Sequence, residues 1–398
     1  MIARLGPHRR VDHESEADTI VINSCTVTNA AESSARAYVA RLKRHYPQVE
    51  ILFTGCAVAS EGEALLQKGQ INGLFAHAQK EQIAHFLDHP PTTAQHDPTH
   101  LDHTLIEHFE GKQRAFIKIQ EGCDFSCSYC IIPSVRGVSR SMDTGLICDQ
   151  IRLLVAQGFG EFILTGTNSG SFGIDRGERL SDLVGRILQI KGVRRLRLGS
   201  LEPSQVDESL IALLDHPVMA RHLHVALQHT CDRVLERMNR KNRFEGDRRL
   251  LERLSSLGYA IGTDYIVGFP GESEGEFEEA LANLEHLPLT HIHLFSYSPR
   301  QGTPAAALKQ DVDGETVTKR REAILARIGQ KHRDFYTALG QNPLEVFVER
   351  SVDNQASGLD QYFSRVRIPA GFEVGSWVRV SRYRPLAGGE VEAVEYAL

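Results

Sequence analysis

Three cysteines stand close together in the middle of the chain, in the run Ile119-Gln120-Glu121-Gly122-Cys123-Asp124-Phe125-Ser126-Cys127-Ser128-Tyr129-Cys130. Their C-x3-C-x2-C spacing places three thiolates on one tight loop directly after an apolar, strand-like run. Three thiolates ligate three irons of a 4Fe–4S cube and leave the fourth iron open, whereas an electron-transfer ferredoxin caps all four. An open iron can chelate the amino and carboxylate groups of S-adenosylmethionine and pass it an electron. A structural zinc site wants four protein ligands in paired cysteines, and no second pair stands nearby. Of the other four cysteines, Cys25 and Cys56 each follow a short apolar run. Cys148 lies in an apolar helical stretch and reads as core packing. Cys231, before the helix-like run 232–238, reads as a small helix-start residue.

Loops of this kind need strands behind them. Segments 19–23 (TIVIN), 51–54 (ILFT) and 73–75 alternate with helix-like stretches at 30–45 and 79–87. That alternation predicts a parallel sheet with its functional groups at the carboxyl ends of the strands, where Cys25 and Cys56 both fall. Residues 90–103 are proline-rich and polar and read as a linker. Six further strand-like runs follow at 114–119, 161–165, 194–198, 222–226, 260–267 and 291–295. Six β/α units fit a partial barrel as well as an open sheet, and either puts its chemistry at the strand C-termini. A charged helix is expected over 315–339. Beyond it LEVFVE, YFSRVRI, SWVRVSR and EVEAVEY predict a small β-barrel. The expected domains are 1–105, 106–340 and 341–398, an α/β protein with a β-barrel appended.

The 398 residues are 41% hydrophobic and 24% charged, with no apolar run long enough to span a bilayer and no apolar core of the secretory type near the N-terminus. A cytoplasmic chain is expected, in which seven cysteines point to metal or redox chemistry rather than disulfides. The net charge of −6 excludes no partner, because RNA feels the local field.

With these residues in place, the chain resembles the methylthiotransferase branch of the radical S-adenosylmethionine superfamily. The matching stretches are KIQEGCDFSCSYCIIPSVRG (118–137), ILTGTNSGSFG (163–173), RLRLGSLEP (195–203), DYIVGFPGESEGEF (264–277) and FSYSPRQGTPA (295–305). The resemblance implies an N-terminal domain with three cysteines for an auxiliary cluster, a radical domain with a six-stranded partial barrel, and a C-terminal TRAM domain. Within the branch, Asn23-Ser24-Cys25-Thr26-Val27-Thr28-Asn29 resembles the signature of the tRNA threonylcarbamoyladenosine methylthiotransferases, the MtaB family, as does the IIPSVRG continuation. The isopentenyladenosine and ribosomal-protein enzymes carry different residues after this cysteine.

One departure matters. Cys25 and Cys56 match the second and third cysteines of the auxiliary set, and the first, in an L-G-C segment, has no counterpart; Leu5-Gly6-Pro7 resembles it only superficially. Three explanations stand: a start assigned too late, a truncated gene, or His8 or His13 as a substitute ligand. The first two are favoured, since histidines near a terminus are usually solvated. The sheet is then expected to lack a strand and to present an edge. A non-catalytic iron–sulfur RNA-binding protein is the alternative this incompleteness suggests. A second departure is Gln228-His229-Thr230-Cys231, where the family more often has Q-S-G.

The resemblance implies a two-stage reaction. One S-adenosylmethionine methylates sulfur at the auxiliary cluster. A second is cleaved at the Cys123/Cys127/Cys130 cluster, and the resulting radical removes hydrogen from C-2 of the target adenine. Tyr129, Thr165-Gly166-Thr167 and Ile266 to Gly268 are candidates to contact S-adenosylmethionine. For RNA the candidates are Arg136 and Arg140 after the cluster loop, and Arg365, Arg367, Trp377 and Arg379 in the C-terminal strands. There Arg382 and Arg384 add charge, and Tyr362, Phe363 and Tyr383 are interleaved as stacking groups. The implied partners are a tRNA anticodon loop, an electron donor of flavodoxin or ferredoxin type, and a sulfur donor.

Overall fold

The structure, a computed structural model, describes residues 1–95, 97, 100, 101, 106, 113–340 and 342–397. The chain divides into two compact units whose boundaries cross the expected ones. The first comprises Met1–His108, Glu121–Met142 and Ser298–Ala307; the second comprises Phe109–Gln120, Asp143–Tyr297 and Leu308–Leu398. Residues 96, 98, 99, 102 and 103 of the expected 90–103 linker lie outside the described residues.

In the first unit, β1 (Thr19–Ser24), β2 (Glu50–Gly55) and β3 (Gly73–Phe75) form a parallel sheet in the order β1-β2-β3. The helix Asn29–His45 starts where the Thr28 hydroxyl accepts from the Ala31 N–H and ends on Lys43, Arg44 and His45, which suit the negative end of its dipole. Its Val39 and Leu42 pack with Ile22, Ile51, Phe53 and Leu74. Leu52 points to the other face, into a cluster with Phe75, Ile83 and Phe86, on which Met1 and Leu5 also pack. Leu5 is therefore a packing residue, and β1 is an edge strand of the described sheet. The expected helix at 79–87 is instead a 3-10 turn, His77–Gln82, followed by the helix Ile83–Asp88. The Gln79 side chain accepts from the Ala76 N–H at 2.9 Å and holds the tight turn. The chain re-enters this unit at the last residue of β4 (Ala115–Glu121), then carries the cluster loop, a short helix Ile132–Arg136 and the two-residue β5 (Arg140–Ser141).

The second unit contains six parallel strands: β4, β6 (Glu161–Gly166), β7 (Arg195–Leu198), β8 (His222–His224), β9 (Ala260–Val267) and β10 (Leu289–Ser296). β4-β6-β7 and β8-β9-β10 are each hydrogen-bonded, and bridges Leu196↔Met219 and Leu201↔Val225 join the two halves. This is the partial barrel that strand patterning left open. The helix Gly314–Leu339 follows, capped by the Asp313 carboxylate, which accepts from the N–H groups of Glu315 and Thr316. Next, β11 (Leu344–Val352), β12 (Gln355–Leu359), β13 (Arg365–Ile368), β14 (Trp377–Pro385) and β15 (Glu390–Ala397) close a barrel in the order β11-β12-β13-β15-β14. Four strands were expected here and five are found. The sequence of β12, QASGL, is small and weakly β-forming; it pairs because a Cβ at Gly358 would lie 1.8 Å from the Phe347 carbonyl oxygen, so only glycine lets the strands approach.

The two barrels are bolted together at a buried ion cluster. The Glu161 carboxylate accepts from Arg197 Nε at 2.6 Å and from Arg195 Nη1 at 3.1 Å. The same guanidinium groups donate onward to the carbonyl oxygens of Glu345 at 2.6 Å and Asp360 at 2.5 Å. Every member is more than 95% buried except the backbone acceptor residue Glu345, so the charges are mutually compensated rather than solvated.

Candidate active site with two cysteine clusters

The cluster loop is held by its own backbone. Gly122 has φ +78°, and a Cβ there would lie 1.9 Å from the Val138 carbonyl oxygen, so the residue before Cys123 must be glycine. The Cys123 N–H donates to the Gly137 carbonyl at 3.1 Å, Cys130 to that of Cys127 at 3.1 Å, and Ser139 N–H to the Asp124 carboxylate at 2.9 Å. Cys123, Cys127 and Cys130 are all half-buried, as is Tyr129. Three part-exposed thiols on one pinned loop suit a 4Fe–4S cluster with one open iron.

Cys25 and Cys56 meet by a different route. Parallel register pairs Ser24 with Gly55 at the ends of β1 and β2, and each cysteine is the next residue along. The Cys56 N–H donates to the Ser24 carbonyl at 3.1 Å. Gly55, at φ +99°, would place a Cβ 2.1 Å from that same oxygen, so this site too is entered through an obligatory glycine. Cys25 is exposed and Cys56 buried. A cavity of about 570 Å³ opens beside Cys56, lined also by His77, Ser134 and Val135.

Arg136, expected to serve RNA, is committed here. Its Nε donates to Cys56 Sγ at 2.9 Å and its Nη1 to the Glu121 carboxylate at 2.7 Å. Burial opposes its charge, but Cys56 and Glu121 outweigh burial and raise its pKa. His77 Nε2 lies 3.0 Å from the same Glu121 oxygen, and its Nδ1 lies 2.7 Å from the Lys80 ammonium. Burial, with Lys80 and Arg136 close by, pushes His77 down to about 4 despite Glu121, so it is neutral. The guanidinium thus links Cys56 to Glu121, two residues before Cys123. Arg140 is spent on the carbonyl oxygens of His100 at 2.8 Å, Arg136 at 2.8 Å and Val138 at 3.1 Å.

The residues after Cys25 are structural. Thr26, Ser60 and Arg300 all donate to the buried Glu32 carboxylate, with Ser60 Oγ at 2.6 Å. Arg300 also reaches Thr26 Oγ1 at 2.9 Å and Asn29 Oδ1 at 2.6 Å. Burial alone would push the Glu32 carboxyl up; these donors hold it below its ordinary value. Five residues on, the Ala305 N–H donates to the Ser128 carbonyl at 2.8 Å, within the cluster loop. Ser298–Ala307 therefore straps the Cys25 turn to the loop of Cys123, Cys127 and Cys130. Sequence reasoning quoted this segment as a motif and missed Arg300; a buried arginine between two cysteine loops has no local pattern. His8 lies 3.4 Å from the Asp88 carboxylate and His13 2.9 Å from Ser15 Oγ.

In the second unit, Thr165 and Gly166 end β6 and Thr167 is exposed. The turn is stapled by Gln120, whose Oε1 accepts from the Asn168 N–H at 2.8 Å. Ile266 is buried near the end of β9, and the Gly268 N–H donates to the Glu272 carboxylate at 2.7 Å. Cys148 and Cys231 are both buried, and burial raises both thiols. Cys231 is the N-cap of the helix Asp232–Arg237.

The C-terminal barrel treats its candidates unequally. Arg367 is paired with Glu390, Arg365 lies 3.7 Å from Glu349, Arg382 is paired with Glu395 at 2.8 Å, and Arg384 with Glu392. Trp377 is half-buried, with Arg194 and Arg195 over its ring at 4.4 and 4.5 Å. Arg379 is exposed and lines a cavity of about 300 Å³ with Arg194, Arg195 and Arg221. The interleaved aromatics are not stacking platforms: Tyr362 lies in the barrel core, Tyr383 packs on it, and Phe363 stacks on His222 at 4.7 Å. Among the described residues no helix is long and apolar enough to cross a membrane.

A parallel partial barrel whose first strand runs into a three-cysteine loop defines a radical S-adenosylmethionine enzyme, and residues 117–284 match the Radical SAM superfamily. Residues 2–76 match a family described as uncharacterized protein family UPF0004. A protein of Helicobacter pylori (strain J99 / ATCC 700824), provisionally described as a methylthiotransferase, is 46% identical over 97% of this chain and 90% of its own length. The threonylcarbamoyladenosine tRNA methylthiotransferase MtaB of Chlamydia pneumoniae is 34% identical over 92% of this chain and 86% of its own. Among solved structures, the radical S-adenosylmethionine methyltransferase TsrM from Kitasatospora setae superposes with a TM-score of 0.58 at 16% identity, covering 74% of this chain and 65% of that one. The chain thus spans just under two thirds of that protein's length, and the likeness is one of fold. The chain belongs to the MtaB family of radical S-adenosylmethionine methylthiotransferases. Its cofactors are a 4Fe–4S cluster and S-adenosylmethionine.

Proposed function

We propose that this enzyme adds a methylthio group to C-2 of N6-threonylcarbamoyladenosine at position 37 of tRNA, in the cytoplasm. The observation that carries the reading is the pairing of two cysteine sites in one compact unit, each entered through a strained glycine. Two such sites suit a reaction that needs sulfur as well as a radical. The relatives named for threonylcarbamoyladenosine and the Cys25–Asn29 context favour this substrate over isopentenyladenosine or a ribosomal protein.

When bound, the cluster of Cys123, Cys127 and Cys130 supplies, with S-adenosylmethionine, hydrogen removal from an aromatic carbon that polar chemistry cannot activate. The protein's own part is positional. Gly122 and Gly137 shape the cluster loop, Glu32 and Arg300 fix the Cys25 turn, and Arg136 holds the Cys56 sulfur. Tyr129, Thr165 to Thr167 and Ile266 to Gly268 are the proposed contacts of S-adenosylmethionine. Arg379 is the preferred phosphate contact; Arg365, Arg367, Arg136 and Trp377 have protein partners already. An electron donor of flavodoxin or ferredoxin type is required.

Nucleoside mass spectrometry of tRNA from a deletion strain tests the reading. The 2-methylthio derivative of threonylcarbamoyladenosine should disappear and its unthiolated precursor accumulate. Loss from the isopentenyladenosine species instead would overturn it.

A further inference from the structure

One face of the β8-β9-β10 sheet, wholly within the second unit, carries titratable groups that neither cysteine site uses. Parallel register pairs His224 with Gly262, and His293 with Asp264 one alternate position further along β9. A Cβ at Gly262 would lie 2.8 Å from His224 Nδ1, so the missing side chain leaves room for that ring to lean over β9. His224 then stacks on His293, with ring centroids 4.7 Å apart. One potential ligand atom from each of His224, Asp264 and His293 falls within 4.8 Å of the other two.

The decisive atom is His224 Nε2. The side chain is 8% exposed, and this nitrogen is buried without a hydrogen-bond partner. It lies 3.1 Å from the Asp264 carboxylate, close enough for attraction but outside hydrogen-bond geometry. Leaving a buried polar atom unmet is costly, and such an atom in a folded protein calls for a missing partner. Asp264 is itself short of cations: among the described residues no guanidinium or ammonium pairs with it. Its hydrogen-bonded neighbour is His293 Nδ1 at 3.3 Å. Deeper in the same face the histidines are provided for, since Ser364 Oγ lies 3.1 Å from His291 Nε2 and 2.8 Å from His332 Nε2. His222, whose Nε2 is also unpartnered, stacks on Phe363 and has no carboxylate within ion-pair distance among the described residues.

We propose that His224, Asp264 and His293 bind a divalent transition-metal ion, zinc or ferrous iron, through two imidazole nitrogens and one carboxylate oxygen. Zinc bonds of about 2.0–2.2 Å put neighbouring ligand atoms of a tetrahedron about 3.3–3.6 Å apart. The separations from the Asp264 oxygen, 3.1 and 3.3 Å, are close to such edges. The ion accepts the lone pair of His224 Nε2, offsets the Asp264 charge and displaces the proton that His293 Nδ1 shares with the carboxylate. Two imidazoles and a carboxylate leave open positions for water or for an oxygen or nitrogen donor of a small ligand. Those positions are reachable, because the side chain of His293 is 56% exposed and that of Asp264 21%. The site stands independently of the tRNA substrate proposed above.

The test uses the full chain with its iron–sulfur cluster loaded anaerobically, equilibrated with a small excess of zinc and then freed of unbound ion. Elemental analysis counts zinc and iron per chain, and competition with a chromophoric chelator reads zinc affinity. Wild type should hold about one zinc that survives Cys56→Ser, which removes a thiol that zinc could choose instead. Asp264→Asn and His293→Leu should each weaken zinc at least about a hundredfold with iron unchanged, since even the outer partners of metal ligands are worth tenfold to a hundredfold. Should Asp264→Asn also lose iron, His293→Leu decides, because that side chain is 56% exposed and its loss opens no cavity. Absence of zinc from the wild type, loss of all zinc in Cys56→Ser, or unchanged affinity in His293→Leu would each overturn the assignment.

Discussion

The two cysteine sites differ in how they are made. Cys123, Cys127 and Cys130 are brought together by eight residues of chain, and the hydrogen bonds that shape their loop come from a neighbouring turn. Cys25 and Cys56 lie 31 positions apart and meet because β1 and β2 are parallel and in register. The first site closes over short range; the second exists only once the sheet has formed. What they share is a glycine at positive φ immediately before a cysteine, which shows that both loops turn too sharply for a Cβ. What separates them is support: a local backbone for the first, and for the second a set of distant side chains, Arg136, Glu121, Glu32 and Arg300.

The sharpest break in this comparison is Cys127→Ala. It should abolish 5′-deoxyadenosine formation, a loss of about a thousandfold or more, because two thiolates do not hold the cube. Cys231→Ala should stay within about twofold, and an equal loss in both would mean that Cys231 is a ligand. Next comes metal content. Anaerobic reconstitution should give about four irons and four sulfides held firmly per chain, since the second site offers two cysteines where the first offers three. A stable eight would show that another side chain completes it, and His77 beside Cys56 would be the first to replace.

Glycine substitutions separate the sites without touching a ligand. Gly122→Ala should cost about 1–3 kcal/mol locally and sharply reduce bound iron, while Gly55→Ala should destabilise the N-terminal sheet by a similar amount and leave that iron in place. Iron analysis beside a denaturant titration reads both, and equal iron loss in the two variants would mean that the sites are built as one.

The smallest effect is in pH. His77, His291 and His332 have folded pKa values of about 4, 3 and 4, below the unfolded value near 6.5. A depressed histidine pKa means that the unfolded chain binds the extra proton. The stability these groups contribute is full above about pH 6.5 and is lost as pH falls toward their folded values. Each should withdraw up to about 2 kcal/mol between pH 7 and pH 5, and His291→Phe should flatten the slope of unfolding free energy in that window. An unchanged slope would place the histidines in a wetter setting than the structure gives them.

Much was legible from local pattern. Strand 73–75 and strand 260–267 fall where expected, and the helices after β1 and before the C-terminal barrel begin within one residue of expectation. β12 was not legible, because a strand of Gln, Ala, Ser, Gly and Leu pairs only through the close approach that Gly358 permits. The arginines were the weakest reading. Sequence marks a positive charge and a helix or strand, but whether the charge meets RNA, a thiol or a carboxylate depends on what the fold sets opposite it. Arg136 found Cys56 and Glu121, and Arg367 found Glu390.

The sequence by itself determined the chemistry that lies within one loop: three thiols at the spacing of an open-iron cluster, with the glycine that lets them turn. Tertiary structure alone decided the rest. It set Cys56 beside Cys25, put a guanidinium on the thiol, strapped the two loops with Ser298–Ala307, and lined one barrel face with His224, Asp264 and His293. Short-range geometry is encoded by spacing and by the conformational limits of glycine. Long-range geometry is encoded by strand register and the burial of charge, and neither exists until the sheets have formed.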